Sequence, residues 1–158
     1  MVIRNMRPSD WDDVARIYTE GIQTGSATFE TVCPTWEKWN AAHLRPCRLV
    51  AEEAGEAAGW AALTPVSSRC VYEGVAEVSI YIAADRRGSG VGRALLGALI
   101  DASGKAGFWT LQSSIFEGNT ASIRLHRACG FRTVGLRERI ARDRDGVWRN
   151  IVLMERRA

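Results

Sequence analysis

Apolar side chains return every third or fourth residue in some stretches of this chain and every second residue in others. The changes of period outline its elements. Met1 to Met6 reads as a short strand, and Trp11, Val14, Ala15, Tyr18 and Ile22 then follow helical spacing. Ser9 stands where a cap is expected, with Asp12 three residues on, and Thr24-Gly25-Ser26 ends the helix at about Gln23. A second helix is predicted from Thr35, with Trp36 and Trp39 on one side. Leu49-Val50-Ala51 and Trp60 to Leu63 form a predicted hairpin around Gly55. Pro65 to Arg69 reads as loop, and Val71 to Ile82 as the long central strand. Leu95, Leu96, Leu99 and Ala102 mark a third helix after Gly92, ending near Gly104 or Gly107. A strand over Trp109 to Ile115 precedes a helix over Asn119 to Cys129, which Gly130 stops as a left-handed cap with Phe131 beyond it. Thr133-Val134 and Trp148 to Met154 supply the last strands. The order β-α-α-β-β-β-α-β-α-β-β predicts one layered α/β domain over residues 1–158, a mixed sheet with helices on its faces.

Composition narrows the classes. A chain of 158 residues with 46% hydrophobic and 25% charged residues is ordinary for a domain that buries its own core. The net charge of +3 is mild and no long basic run occurs, so no nucleic-acid partner is expected, although a polyanionic small molecule suits the charge. No stretch has the length of a membrane span and no signal-peptide layout opens the chain, so a cytoplasmic location without a membrane partner is expected. Cys33, Cys47, Cys70 and Cys129 are scattered and read as packed thiols in a reducing compartment. With His43 and His126 the only histidines, and no paired-ligand spacing, no metal is expected.

The stretch Asp85 to Leu96, DRRGSGVGRALL, carries the most chemistry. It joins the alternating run Val78-Ser79-Ile80-Tyr81-Ile82 to a helix. Strand, glycine-rich turn and helix in that order aim unpaired backbone N–H groups at a common point, where the helix dipole also favours an anion. Glycines let a phosphate approach the backbone, and Arg86, Arg87 and Arg93 add charge. The spacing lacks the Gly-Lys-Ser/Thr of a P-loop, and no acidic residue follows about 20 residues on as a dinucleotide site requires. It resembles the Arg-x-x-Gly-x-Gly pyrophosphate signature of the Gcn5-related N-acetyltransferases (the GNAT superfamily), here Arg87, Gly90 and Gly92.

Two further motifs extend that resemblance. Glu77-Val78-Ser79-Ile80-Tyr81-Ile82 precedes the loop, and Gly118 to Phe131, GNTASIRLHRACGF, follows it. With Ala27-Thr28-Phe29-Glu30-Thr31 upstream, Pro34 and Trp36, these resemble the acetyltransferases of phosphinothricin, methionine sulfone and methionine sulfoximine. The resemblance implies a mostly antiparallel twisted sheet with helices on both faces, and acetyl-CoA as cosubstrate. Gly88, Ser89, Gly90, Val91, Gly92 and Arg93 would hold its diphosphate with Arg87, and Ile80, Tyr81, Ile82 and Asn119 its pantetheine arm. Glu77 would accept the amine proton, and His126, where the superfamily usually has Tyr, would protonate the leaving thiolate. Phe29, Glu30, Arg69 and Tyr72 would surround the acceptor, with Arg69 on its carboxylate. Family members are often homodimers, which is the assembly expected.

Read without the resemblance, these residues keep plainer alternatives. Glu77 fits a solvated strand face and Arg69 a surface charge. Asn119 fits a helix cap, and His126, seven residues on and so on the same helix side, a packed histidine. Gly74-Val75-Ala76 departs from the family's usual context before Glu77, which leaves the acceptor open. The expected reaction is direct transfer of an acetyl group to the α-amine of a small amino-acid analogue. A protein N-terminus, a lysine, a polyamine, or a role as non-catalytic acyl-CoA sensor are the alternatives.

Overall fold

In a computed structural model that describes residues 1–158, the predicted elements follow in the predicted order. They are β1 (Val2–Asn5), α1 (Trp11–Gln23), α2 (Trp36–Ala42), β2 (Leu49–Glu53), β3 (Glu56–Pro65), β4 (Val75–Ile82), α3 (Val91–Lys105), β5 (Thr110–Phe116), α4 (Thr120–Ala128), β6 (Arg132–Arg142) and β7 (Trp148–Arg157). One seven-stranded sheet runs β1-β2-β3-β4-β5-β7-β6. Every neighbouring pair is antiparallel except β4 with β5.

Helices cover both faces of this sheet, and each covered face holds its own core. On one face α3 packs Leu95, Leu96 and Leu99 against Ala61 and Leu63 of β3 and Val78 of β4. On the other, Val14, Ile17 and Tyr18 of α1 and Trp39 of α2 close over Val50, Trp60 and Ala62. The central strand β3 feeds both cores, so Ala57 to Leu63 is buried throughout, with no polar alternation. A fully buried leucine contributes roughly 1.5–3 kcal/mol. The three of α3 therefore fix that helix, and with it the turn at its N-terminus.

Three boundaries differ from the sequence expectation. The strand ahead of the glycine turn starts at Val75 rather than Val71. The Gly74 carbonyl accepts from the N–H groups of Trp109 and Thr110, so sheet pairing begins only there. Cys70–Tyr72 forms a 3-10 turn instead. The final hairpin is longer than expected because β6 is an edge strand exposed along most of its length, and solvent-facing positions carry no apolar period.

Ser9 does not cap α1. The chain enters through a 3-10 turn at Pro8–Asp10, and the Asp10 carboxylate accepts the Arg7 N–H at 2.6 Å. The Arg4 guanidinium donates to both Asp10 oxygens, at 2.9 and 2.8 Å, and its Nε donates to Glu52 at 2.8 Å. This two-point contact ties β1, β2 and the helix entry together, and it holds the Asp10 carboxyl below the usual carboxylate range. A depressed carboxyl stabilises the fold above its unfolded value, near 4, and loses that contribution as pH falls through its folded value. Asp10→Asn is expected to cost about 2 kcal/mol at pH 7, measured by urea denaturation, with the gap to wild type closing at pH 3. A gap undiminished at pH 3 would assign the effect to helix entry rather than to charge.

Candidate active site

The parallel pairing of β4 with β5 spans only Val75, Ala76 and Glu77 against Thr110, Leu111 and Gln112. Beyond that point the two strands part. β4 stays on β3 as far as Ile82, and β5 stays on β7 as far as Phe116. Their divergence opens a wedge in the sheet and leaves alternate main-chain groups of Val78 to Ile82 unpaired on the wedge side. The wedge leads into a cavity of about 620 Å³. Its walls include Phe29 and Glu30 from the segment between α1 and α2, Glu77 to Tyr81 from β4, and Asn119 and His126 from α4.

Glu77 stands at the fork. Strand alternation turns it, Ser79 and Tyr81 to one side, while Val78, Ile80 and Ile82 pack into or against the α3 core. Both hydrogen bonds made to its carboxylate converge on Oε1, from Gln112 Nε2 at 3.1 Å and Ser114 Oγ at 2.9 Å. Oε2 has no protein partner and remains free to accept.

At the far end of β4 the chain turns through Ala84–Arg86 into α3. Gly88 and Gly90 adopt φ of +76° and +90°, the left-handed region open to glycine, and a Cβ at either would project into open space where a ligand approaches. No N–H group from Gly88 to Arg93 donates to a protein acceptor in a turn, loop or cap. Arg87 and Arg93 are exposed and free of ion pairs. Arg86, by contrast, is committed to Glu53, Glu56 and Asp85, and Glu20 accepts the Ala84 N–H at 2.7 Å. Arg86 thus braces the turn, while the amides of Gly88 to Arg93 and the guanidinium groups of Arg87 and Arg93 stay free of ion pairs and turn bonds. Free amides, an open left-handed turn and an unpaired strand edge leading to a cavity fit a molecule with a diphosphate at one end and an amide-bearing arm.

The remaining predicted residues fare differently. Phe29 packs edge-on against Phe116 at 4.6 Å, and the Arg149 guanidinium lies 4.5 Å over Phe116 while bonding the Gly25 carbonyl and Asp143. Asn119 caps α4 through Oδ1 on the Ser122 N–H at 3.2 Å, and Nδ2 donates to the Ser26 carbonyl at 3.4 Å. Its amide is therefore used to hold the Phe29-bearing segment. Arg69 and Tyr72 do not line the cavity. They stack on each other, 5.6 Å from guanidinium carbon to ring centre, on an exposed turn.

His126 is not arranged as a proton donor. It is 1% exposed, and Nδ1 donates to the Ser122 carbonyl at 2.8 Å, which leaves Nε2 as an enclosed lone pair without a partner. Burial pushes its pKa down, so the ring is neutral near pH 7 and the proton it holds is already engaged. Helical spacing put the residue on the correct side but could not reveal which nitrogen carries the proton. Of the tryptophans expected to be packing, Trp39 is fully buried, Trp36 stacks on it and Trp11 packs against it at a tilt.

A glycine-rich turn with free amides, a splayed strand and a carboxylate at the fork fit an acyl-transfer enzyme of the α/β class. The chain matches the acetyltransferase (GNAT) family over residues 11–131, and it belongs to that family. It is an acetyl-CoA-dependent N-acetyltransferase. It is 37% identical to a phosphinothricin N-acetyltransferase of Alcaligenes faecalis, over 98% of this chain and 81% of that protein. A methionine sulfoximine/methionine sulfone acetyltransferase of Pseudomonas paraeruginosa is 28% identical, over 97% of this chain and 92% of its own length. Among solved structures, a phosphinothricin acetyltransferase of Sinorhizobium meliloti in complex with acetyl-CoA superposes with a TM-score of 0.87 at 29% identity, covering 99% of this chain and 87% of that one. No helix of the chain is long and apolar enough to cross a membrane.

Proposed function

We propose that this enzyme acetylates the α-amine of a small amino-acid analogue of the phosphinothricin, methionine sulfone or methionine sulfoximine type. Acetyl-CoA supplies the acetyl thioester. The N–H groups of Gly88 to Arg93, with Arg87, hold its diphosphate, and the free edge of Ile80, Tyr81 and Ile82 lies along its arm. The acceptor occupies the cavity beside Phe29 and Glu30.

The observation that carries this reading is the placing of Glu77 at the fork of β4 and β5, on the cavity wall and with Oε2 unpartnered. The α-amine of a free amino acid has a pKa of about 9, so only about one molecule in a hundred is unprotonated at pH 7. A base within reach, directly or through one water, is therefore required. Gln112 and Ser114 fix the carboxylate by its other oxygen, so Glu77 meets the ammonium in one orientation. Attack by the amine is direct in a ternary complex. No cysteine lines the cavity, and burial raises the thiol pKa of Cys33, Cys47 and Cys129, which disfavours an acyl-enzyme. A departing thiolate, with a pKa near 8.5, needs no dedicated acid and takes its proton from solvent or from the protonated base.

The resemblance also suggests a homodimer, and the edge strand β6 supports it by presenting Val134 and Leu136 to solvent. Light scattering in solution reads the mass directly.

The reaction is tested by following thiol release from acetyl-CoA with phosphinothricin, methionine sulfone, methionine sulfoximine, plain amino acids, spermidine and an N-terminal peptide. Turnover concentrated on the first three is expected. Preference for spermidine or the peptide, or coenzyme binding without release for any acceptor, would overturn the proposal.

A further inference from the structure

An α-amino acid brings a carboxylate into the cavity together with its amine, and burying that charge requires a counter-charge. Resting on the reading above, we infer that Arg137 on β6 is the residue that binds the acceptor's carboxylate. It is the one lysine or arginine among the cavity walls, which otherwise present the carboxylates of Glu30 and Glu77. Nearby arginines are committed within the chain: Arg132 and Arg157 to Glu155, and Arg149 to Asp143. Arg137 makes no ion pair or side-chain hydrogen bond in the chain, so its guanidinium is available as a two-point donor.

The strand that carries it is irregular at this point. Between the pairs Arg137↔Ile151 and Ala141↔Arg149, four steps along β6 face two along β7. A regular strand would turn Arg137, Arg139 and Ala141 to one face. The bulge instead sends Ile140 to the cavity beside Arg137 and Ala141, and removes Arg139 from it. Arg139 takes φ +49°, uncommon for a residue with a side chain, and its N–H donates to Asn150 Oδ1 at 2.9 Å. Asn150 is fixed in turn, with Nδ2 on Glu117 at 3.2 Å and its carbonyl accepting the Glu117 N–H at 3.1 Å. Strain of this kind persists only where surrounding contacts impose it. Here it leaves a single arginine in the cavity wall with an apolar neighbour. Glu77 then serves the ammonium, and Arg137 the carboxylate one carbon away.

The test pairs methionine sulfone with its decarboxylated amine, in wild type, R137Q, R137K and R69Q. R137Q is expected to raise KM for methionine sulfone about 10- to 100-fold, the loss typical of a charge-assisted contact. KM for acetyl-CoA should stay unchanged, as should the kinetics of the decarboxylated amine, and R137K should restore part of the loss. Equal effects of R137Q on both acceptors, no effect on either, or a carboxylate-selective loss in R69Q instead would overturn the inference. Calorimetry with methionine sulfone separates it from the reaction itself. Binding weakened by R137Q but without turnover in wild type sustains the anchor and sinks the reaction. Turnover of methionine sulfone indifferent to R137Q does the reverse, and no binding to wild type sinks the anchor.

Discussion

Glu77→Gln is expected to lower kcat about 100- to 1,000-fold while leaving KM for acetyl-CoA within about twofold. The substitution is nearly isosteric. A glutamine carbonyl at the Oε1 position accepts the same bonds from Gln112 and Ser114, so the fork of the sheet keeps its geometry. What disappears is the capacity to take a proton from the ammonium. That loss has a signature a packing defect would lack. As pH rises toward and past the amine pKa, about 9, the acceptor arrives already deprotonated and the variant's deficit should shrink. Steady-state rates from pH 7 to 9.5 check this. A deficit constant across the range, or an equal loss in coenzyme affinity, would remove Glu77 from the role of base.

Trp60→Ala should cost about 3–5 kcal/mol, a large share of the 5–15 kcal/mol by which a domain of this size is usually stable. Trp60 is fully buried on β3, and its ring meets Tyr18 at 5.6 Å, Trp39 at 5.5 Å and Tyr81 at 5.0 Å. Alanine removes the common surface on which α1, α2 and the inward side of β4 rest. One term works the other way. The indole N–H has no hydrogen-bond partner, so deleting it relieves roughly 1–3 kcal/mol of desolvation. The cavity term is larger, and the net effect stays destabilising. Trp60→Phe separates the two, since it removes the orphan N–H while keeping most of the ring, and should cost no more than about 1 kcal/mol. Urea denaturation of both variants is the measurement. An alanine variant within 1 kcal/mol of wild type would show that the aromatic cluster is not what holds these helices to the sheet. Tyr81, stacked on both Trp60 and Tyr18, lines the cavity, so the alanine variant that remains folded should also bind acceptor more weakly.

The three arginines of the glycine turn show how far local reading reaches. Residue type and spacing marked all three alike, yet only the fold committed Arg86 to Glu53 and Glu56 and left Arg87 and Arg93 without ion pairs. Arg69 and Arg137 make the same point for the acceptor. A motif drew attention to Arg69, which lies on an exposed turn outside the cavity. Arg137 sits in an arginine-rich edge strand whose pattern says nothing, and it is left as the one cavity cation because a bulge that depends on pairing with β7 takes Arg139 away.

The sequence by itself determined the order of elements, the strand–glycine–helix cradle and the strand face shared by Glu77, Ser79 and Tyr81. Each is set by contacts between residues near one another in the chain, where helical and strand periods and backbone freedom leave a direct trace. Only the tertiary structure decided the rest: the parting of β4 from β5 after Glu77, the buried and already engaged His126, and the one arginine in the cavity wall. Those outcomes depend on segments tens of residues apart, and no local period records which distant strand or carbonyl a side chain will meet.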